Sequence, residues 1–300
     1  MGFFGMSFKI VVDSCCDLSP DLLSSGVYQS VPLTIQVGDS EFRDDETLCT
    51  QKLVDAMAAC REASRTACPA PAEYLAAYEA AEGDIYVVTL SALRSGSHNS
   101  AWQAAQIFRE EHPDRNIHVF NSCSASAGET HIALALAALA GAGKPFDQVV
   151  GEMERRIARM NTLFVLENLD VLRKAGRLTR VQSLVTGALK VKLVMGSTPQ
   201  GEIMRHGQAL SIKQALNKLV SLMAADERHR GRLLCISHCL CRERAEYVRA
   251  LAFKTCGFAD VRIDETRGIS SFYANSGGIV AAYCQEAAGN FPAVFVCLEI

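Results

Sequence analysis

Short stretches crowded with hydroxyl, amide and glycine residues carry the chemistry legible in this chain, and their types suit the holding of an anion. The densest is Ser91-Ala92-Leu93-Arg94-Ser95-Gly96-Ser97-His98-Asn99-Ser100, between the β-branched run Asp84–Thr89 and Ala101–Phe108, whose apolar positions recur at helical spacing. Such a loop at a helix N-terminus gathers unpaired backbone N–H groups, hydroxyl donors and the positive end of the helix dipole, a combination that binds anions. Similar stretches are Asp13-Ser14-Cys15-Cys16-Asp17, Arg65-Thr66-Ala67-Cys68-Pro69 and Asn121-Ser122-Cys123-Ser124-Ala125-Ser126-Ala127-Gly128-Glu129, each leading into a helix. Asn275-Ser276-Gly277-Gly278 is read in the same way, opening a helix through Ile279–Tyr283. Any one of these is explained by ordinary N-capping. Several at the carboxyl ends of strands in one α/β sheet predict a convergent polar site, because ligands of open sheets sit in that crevice.

The elements that must position these loops alternate along the first half of the chain. Strands are expected at Lys9–Val12, Tyr28–Val37, Tyr86–Leu90 and Ile117–Phe120, and helices at Gln51–Cys60, Ala72–Ala81, Ala101–Glu111 and His131–Ala140. Alternation of this kind implies a parallel sheet covered on both faces, an α/β/α first domain. Gly141-Ala142-Gly143-Lys144-Pro145 interrupts the pattern, and a helix over Phe146–Met160 leads to a new strand at Thr162–Leu166. Beyond it, strands are expected at Leu189–Met195, Glu202–His206, Leu233–His238, Val261–Asp264 and Val294–Leu298, with helices at Ile212–Ala225 and Glu243–Phe253. The fold expected is therefore α/β in two domains, 1–160 with a parallel sheet and 161–300 with a mixed sheet. No internal repeat interrupts it.

Composition narrows the function. Three hundred residues, 49% hydrophobic and 21% charged, describe a globular protein with a substantial core. A net charge of −3 and a pI near 6.2 lack the basic excess of a nucleic-acid binder. The N-terminal Met1–Ser7 has neither the basic region nor the apolar core of a signal peptide, and the longest apolar run, Ile132–Ala142, is too short to span a bilayer, so a cytoplasmic protein is expected. Twelve scattered cysteines suit reduced thiols used as small apolar residues. Cys235-Ile236-Ser237-His238-Cys239-Leu240-Cys241 has zinc-ligand types without a standard ligand spacing, and strand alternation turns His238 away from the thiols, so no metal site is expected. The chain has no Gly-x-x-x-x-Gly-Lys-Ser/Thr loop and no Gly-x-Gly-x-x-Gly fingerprint, which leaves no basis for a bound nucleotide cofactor.

Taken in order, several segments resemble those of the DegV family, bacterial fatty-acid-binding proteins that act as the lipid-holding subunit of a fatty acid kinase. Val12–Leu18 and Val31-Pro32-Leu33 look like segments of its first domain, and Arg65–Ala70 like its Thr-Ser-Gln-Pro-Ser loop. Ser91–Ala101 is similar to its Ser-Ser-x-Leu-Ser-Gly-Thr-Tyr-x-Ser-Ala loop, and Leu169–Leu178 to its Leu-x-x-Leu-x-Lys-Gly-Gly-Arg-Ile segment. Asn275-Ser276-Gly277-Gly278 stands where the family has His-Thr-Gly-Pro-Gly. Alanines replace hydroxyl residues at Ala67, Ala70 and Ala92, Arg94 replaces a leucine and His98 a tyrosine. Asn275 in place of the histidine keeps a hydrogen-bond donor and loses the capacity to carry charge.

By this resemblance the chain is a lipid-binding protein rather than an enzyme. Thr66 and Ser95, with Gly96, Asn275 and Ser276, hold the carboxylate of a long-chain fatty acid whose tail enters a tunnel between the domains. A separate ATP-dependent fatty acid kinase then phosphorylates the presented carboxylate in the service of phospholipid metabolism, a role that includes transient membrane contact and no nucleic acid. The basic run Arg173, Lys174, Arg177 and Arg180 reads either as a solvated face or as a docking surface for that kinase, with Arg173 and Arg177 its centre. Two other readings stand beside this one. The altered loops suit a carrier of another hydrophobic carboxylate or lipid, and Ser95 or Ser97 with His98 or His131 suits a lipid or ester hydrolase that lacks a Gly-x-Ser-x-Gly elbow.

Overall fold

Runs of β-branched residues buried on both faces build the sheet nearest the N-terminus. In the computed structural model, which describes residues 8–60, 62, 64–178 and 191–285, strands β1 (Phe8–Asp13), β2 (Tyr28–Val31), β6 (Asp84–Thr89) and β7 (Ile117–Asn121) form an all-parallel sheet in the order β2-β1-β6-β7. Val11, Val12, Val87 and Val88 are fully buried, as strands covered on both faces require. The expected single strand Tyr28–Val37 is divided. Pro32 has no N–H to give to a ladder, and the chain leaves the parallel sheet there, resuming as β3 (Thr34–Val37) in a small antiparallel sheet. Its neighbours there are β4 (Ser40–Arg43) and β5 (Arg65–Ala67), with Ile35 opposite Thr66.

The second half forms a six-stranded mixed sheet. Its strands are β8 (Met160–Val165), β9 (Lys192–Ser197), β10 (Ile203–Ala209), β11 (Leu233–His238), β12 (Asp260–Glu265) and β13 (Ile279–Cys284), in the order β10-β9-β8-β13-β11-β12. Only β11 and β12 pair in parallel. The helix expected through Ile279–Tyr283 is thus a strand. β13 lies between β8 and β11, and two neighbouring ladders outweigh the helix propensity of its alanines. The strand expected at Val294–Leu298, Arg180 of the basic run and the tail Met1–Ser7 lie outside the described residues.

Helices α1 (Pro20–Ser24), α2 (Thr50–Ala59), α3 (Pro71–Glu79), α4 (Ser97–Glu111), α5 (Ala127–Gly141), α6 (Phe146–Ile157), α7 (Asp170–Lys174), α8 (Ile212–Ala224), α9 (Arg242–Cys256) and α10 (Gly268–Ala274) cover the sheets. α5 is the layer shared between the two large sheets, packing on β1 and β6 on one side and on β8, β11 and β13 on the other. Its sequence explains this position: it is apolar all round and rich in alanine, so two sheets approach it closely. No described helix is long and apolar enough to cross a membrane.

Candidate functional site

Loops from the carboxyl ends of β1, β6 and β7 converge with β5, α10 and residues of the six-stranded sheet around one cavity of about 360 Å³. The sheet edge that sequence spacing singled out therefore has a chamber beside it. Thr66 reaches the wall from β5, where its pairing with Ile35 fixes its place. Ser95 and Gly96 reach it from the turn between β6 and α4, which is closed by Ser95 N–H donating to Ser91 O at 3.2 Å. Leu33, Leu90, Phe164, Leu166, Leu172 and Ile269 supply much of the apolar lining.

Three buried aspartates hold these loops in place. Asp13 accepts from the N–H of Cys15 at 3.0 Å, the N–H of Leu90 at 2.9 Å and the Ser97 hydroxyl at 2.6 Å, joining the ends of β1 and β6 to the first turn of α4. An acid at a helix N-terminus also meets the positive end of its dipole. Asp17 accepts from Arg267 N–H at 2.8 Å and from the Ser126 hydroxyl. Asp44 accepts from the N–H groups of Gly268 at 2.8 Å and Ile269 at 2.7 Å, fixing the start of α10. Burial raises the pKa of Asp17 to about 6 against the pull of these donors. Ser126 itself has φ 58° and ψ −127°, a conformation L-residues rarely adopt, retained at the cavity wall.

Behind the wall, Glu129 is fully buried and neither carboxyl oxygen has a hydrogen-bond partner. Ligand atoms of Asp13, Cys15 and Glu129 lie within 4.8 Å of one another. Burial and the neighbouring Asp13 carboxylate push the Glu129 pKa well above its ordinary value, and burial also raises that of Asp13 against the hydrogen bonds it accepts.

Hydroxyls around the chamber divide into two sets. The buried ones bond within the protein: Ser91 donates to Gly201 O at 3.2 Å, Ser270 donates to Cys15 O at 3.1 Å, and Ser124 pairs with Thr162 at 2.6 Å, a hydroxyl pair that keeps one proton. At the rim, Ser95 Oγ accepts from Ser97 N–H at 3.1 Å, which leaves its own proton to give. Thr66 Oγ1 lies 3.0 Å from the phenol of Tyr273. Thr66, Ser95 and Tyr273 are half-buried and Gly96 is exposed, so this polar end faces solvent.

Thr66, Ser95, Gly96 and Arg177 are thus brought to one cavity, and Asn275, Ser276 and Arg173 are not among its lining. Asn275 follows α10 with φ 52°, and its Oδ1 accepts from Ser276 N–H at 2.7 Å. Gly277 and Gly278 then pair with Cys239 through both backbone groups. Arg173 is exposed and pairs with Asp170 at 3.5 Å. Arg177 instead donates from Nε to Arg94 O at 3.2 Å, and Arg94 returns Nη1 to Arg177 O at 2.6 Å.

Tyr273 and Arg94 line the cavity without having been picked out as site residues. Arg94 was visible as a charge in an otherwise small-residue loop, whereas the seven-residue helix carrying Tyr273 has no periodicity long enough to find. The serine and histidine pairs do not assemble. Ser97 is engaged by Asp13 and by the Tyr74 phenol at 2.6 Å, and His98 Nδ1 lies 3.2 Å from Thr89. Burial pushes the His131 pKa down to about 4. No metal-ligating cluster among the described residues draws on His238 or the three thiols near it.

The family model described as "Uncharacterised protein, DegV family" matches residues 7–284. A DegV domain-containing protein of Streptococcus pneumoniae is 36% identical over 288 residues, covering 93% of this chain and 99% of the relative. The crystal structure of a DegV family protein from Ruminococcus gnavus, refined with vaccenic acid, is 44% identical with a TM-score of 0.89, covering 92% of this chain and 99% of that one. The S. pneumoniae Fatty Acid Kinase (Fak) B3 protein loaded with linoleic acid is 33% identical with a TM-score of 0.87, covering 94% and 100% of the two chains. Agreement over nearly the whole length, in sequence and in fold, establishes that this chain belongs to the DegV family.

Proposed function

We propose that this protein binds a long-chain fatty acid, with its tail in the cavity and its carboxylate at Thr66, Ser95 and Gly96, and presents that carboxylate to a separate ATP-dependent kinase. The observation that carries the reading is an apolar-lined cavity at whose half-buried side stand the hydroxyls of Thr66, Ser95 and Tyr273, with protons left to donate to an anion. A carboxylate leaving water needs such donors. Its tail adds roughly 0.8 kcal/mol for each methylene buried. The acids in the R. gnavus and S. pneumoniae structures support the same ligand class. In this reading Asn275 and Ser276 shape the turn after α10, Arg173 belongs to the docking surface, and the cavity lies between an N-terminal domain ending near residue 160 and a C-terminal one.

The protein contributes no catalytic group and binds no cofactor of its own. The kinase moves the terminal phosphoryl group of ATP onto a carboxylate oxygen, leaving ADP and an acyl phosphate. An ATP-using partner sets the exchange in the cytoplasm, with transient membrane contact to collect the acid. The test is to mix acid-loaded protein with ATP and a bacterial fatty acid kinase and trap the acyl phosphate with hydroxylamine. Hydroxamate that requires all three components supports the proposal. Hydroxamate formed without the kinase, or none with acid demonstrably bound, contradicts it.

A further inference from the structure

We propose that the Tyr273 phenol is a direct ligand of the acid's head group, acting with Thr66 as a paired hydroxyl clamp; this rests on the fatty-acid reading above and adds a specificity-determining residue to it. The pair is 3.0 Å apart and both members line the cavity. Between two hydroxyls only one proton is used in the mutual hydrogen bond, so the second O–H is left to donate outward. The Ser95 hydroxyl is in the same position, since it accepts from Ser97 N–H. All three hydroxyls line the same cavity and are half-buried.

The ring is held where it is needed. α10 turns Ile269, Ser270, Tyr273 and Ala274 toward the cavity, the spacing of one helix face. Asp44 fixes the helix start through two backbone N–H groups, and the Ser270 hydroxyl ties it to Cys15 O at 3.1 Å. Tyr273 also packs edge-on against the buried Phe272, with ring centroids 4.9 Å apart. A phenol is a stronger hydrogen-bond donor than an aliphatic hydroxyl, which favours an ionised carboxylate over an ester or alcohol.

The experiment measures dissociation constants of oleic acid and of methyl oleate for the unsubstituted protein and for Tyr273→Phe, which keeps the ring. For oleic acid the variant is expected to bind about tenfold more weakly, the scale of one hydrogen bond to a charged group. Its affinity for methyl oleate is expected to stay within about twofold, since an ester lacks the charge that strengthens the bond. Thr66→Val, which removes the other half of the pair, should reproduce the selective loss. Unchanged oleic acid affinity in Tyr273→Phe, or an equal loss for acid and ester, overturns the role of Tyr273 while leaving the fatty-acid reading intact. Failure of the unsubstituted protein to bind oleic acid overturns both.

Discussion

Glu129 illustrates how single residues are tuned behind this site. A fully buried carboxyl group with no donor, beside a second carboxyl, keeps its proton to a higher pH in the folded protein than in the unfolded chain. Its folded pKa is raised, so its contribution to stability is complete below the ordinary value of 4.5 and is lost as pH climbs toward the folded value. Asp17 adds a loss of the same sign between 3.8 and about 6. Glu129→Gln keeps the shape and removes the titration. The melting temperature of this variant minus that of the unsubstituted protein is therefore expected to grow as pH rises from about 5 to about 8. A flat difference would mean that Glu129 does not titrate abnormally. At the rim, Thr66→Ala and Ser95→Ala are each expected to weaken acid binding by about 1–3 kcal/mol, the scale of one hydrogen bond to a charged group. Equilibrium binding of a labelled fatty acid measures it, and affinity unchanged in both variants would remove them from the site.

At the scale of elements, the cavity depends on short segments anchored from a distance. Asp44→Ala leaves two buried N–H groups at the start of α10 without an acceptor. A stability loss of about 1–3 kcal/mol in urea titration is expected, together with weaker acid binding because α10 carries part of the wall. A variant as stable as the parent would show that α10 does not need this anchor. Gly201 is a second such point: with φ +88°, its added Cβ would lie 2.3 Å from Ser91 Oγ and 2.9 Å from Cys123 Cα. Gly201→Ala should lower the melting temperature by displacing the β6 and β7 loops; no shift would mean that the turn accommodates the methyl group. These dependencies explain what the sequence revealed. The loop at Ser91–Ser100 was legible because strand, small-residue turn and helix follow one another locally, whereas Arg65–Ala67, read as part of a polar stretch before a helix, is a strand placed by its pairing with β3. The end of the parallel sheet at Pro32, the strand identity of Ile279–Cys284 and the helix Gly268–Ala274 were not, because each is decided by partners distant in the chain. Tyr273 was hidden for the same reason: its hydroxyl meets a residue 207 positions away.

For the molecule as a whole, the two arginines assigned together to partner docking occupy different surroundings. Arg173 is exposed and pairs only loosely with Asp170, whereas Arg177 lines the cavity and is latched to Arg94. Arg173→Ala is expected to leave acid affinity within about twofold and to lower kinase-dependent acyl phosphate formation, since rim charges govern encounter more than internal packing. Arg177→Ala is expected to weaken acid binding itself. Equal effects of the two on binding would contradict the separation.

The central claim, that the chamber holds a fatty acid, is tested most directly by purifying the protein from a bacterial host, denaturing it and identifying the organic-solvent extract by mass spectrometry. The expected result is a fatty acid at close to one molecule per chain, lost in parallel from Thr66→Ala and Ser95→Ala. A protein that emerges empty and takes up no acid from a panel of chain lengths would contradict the account.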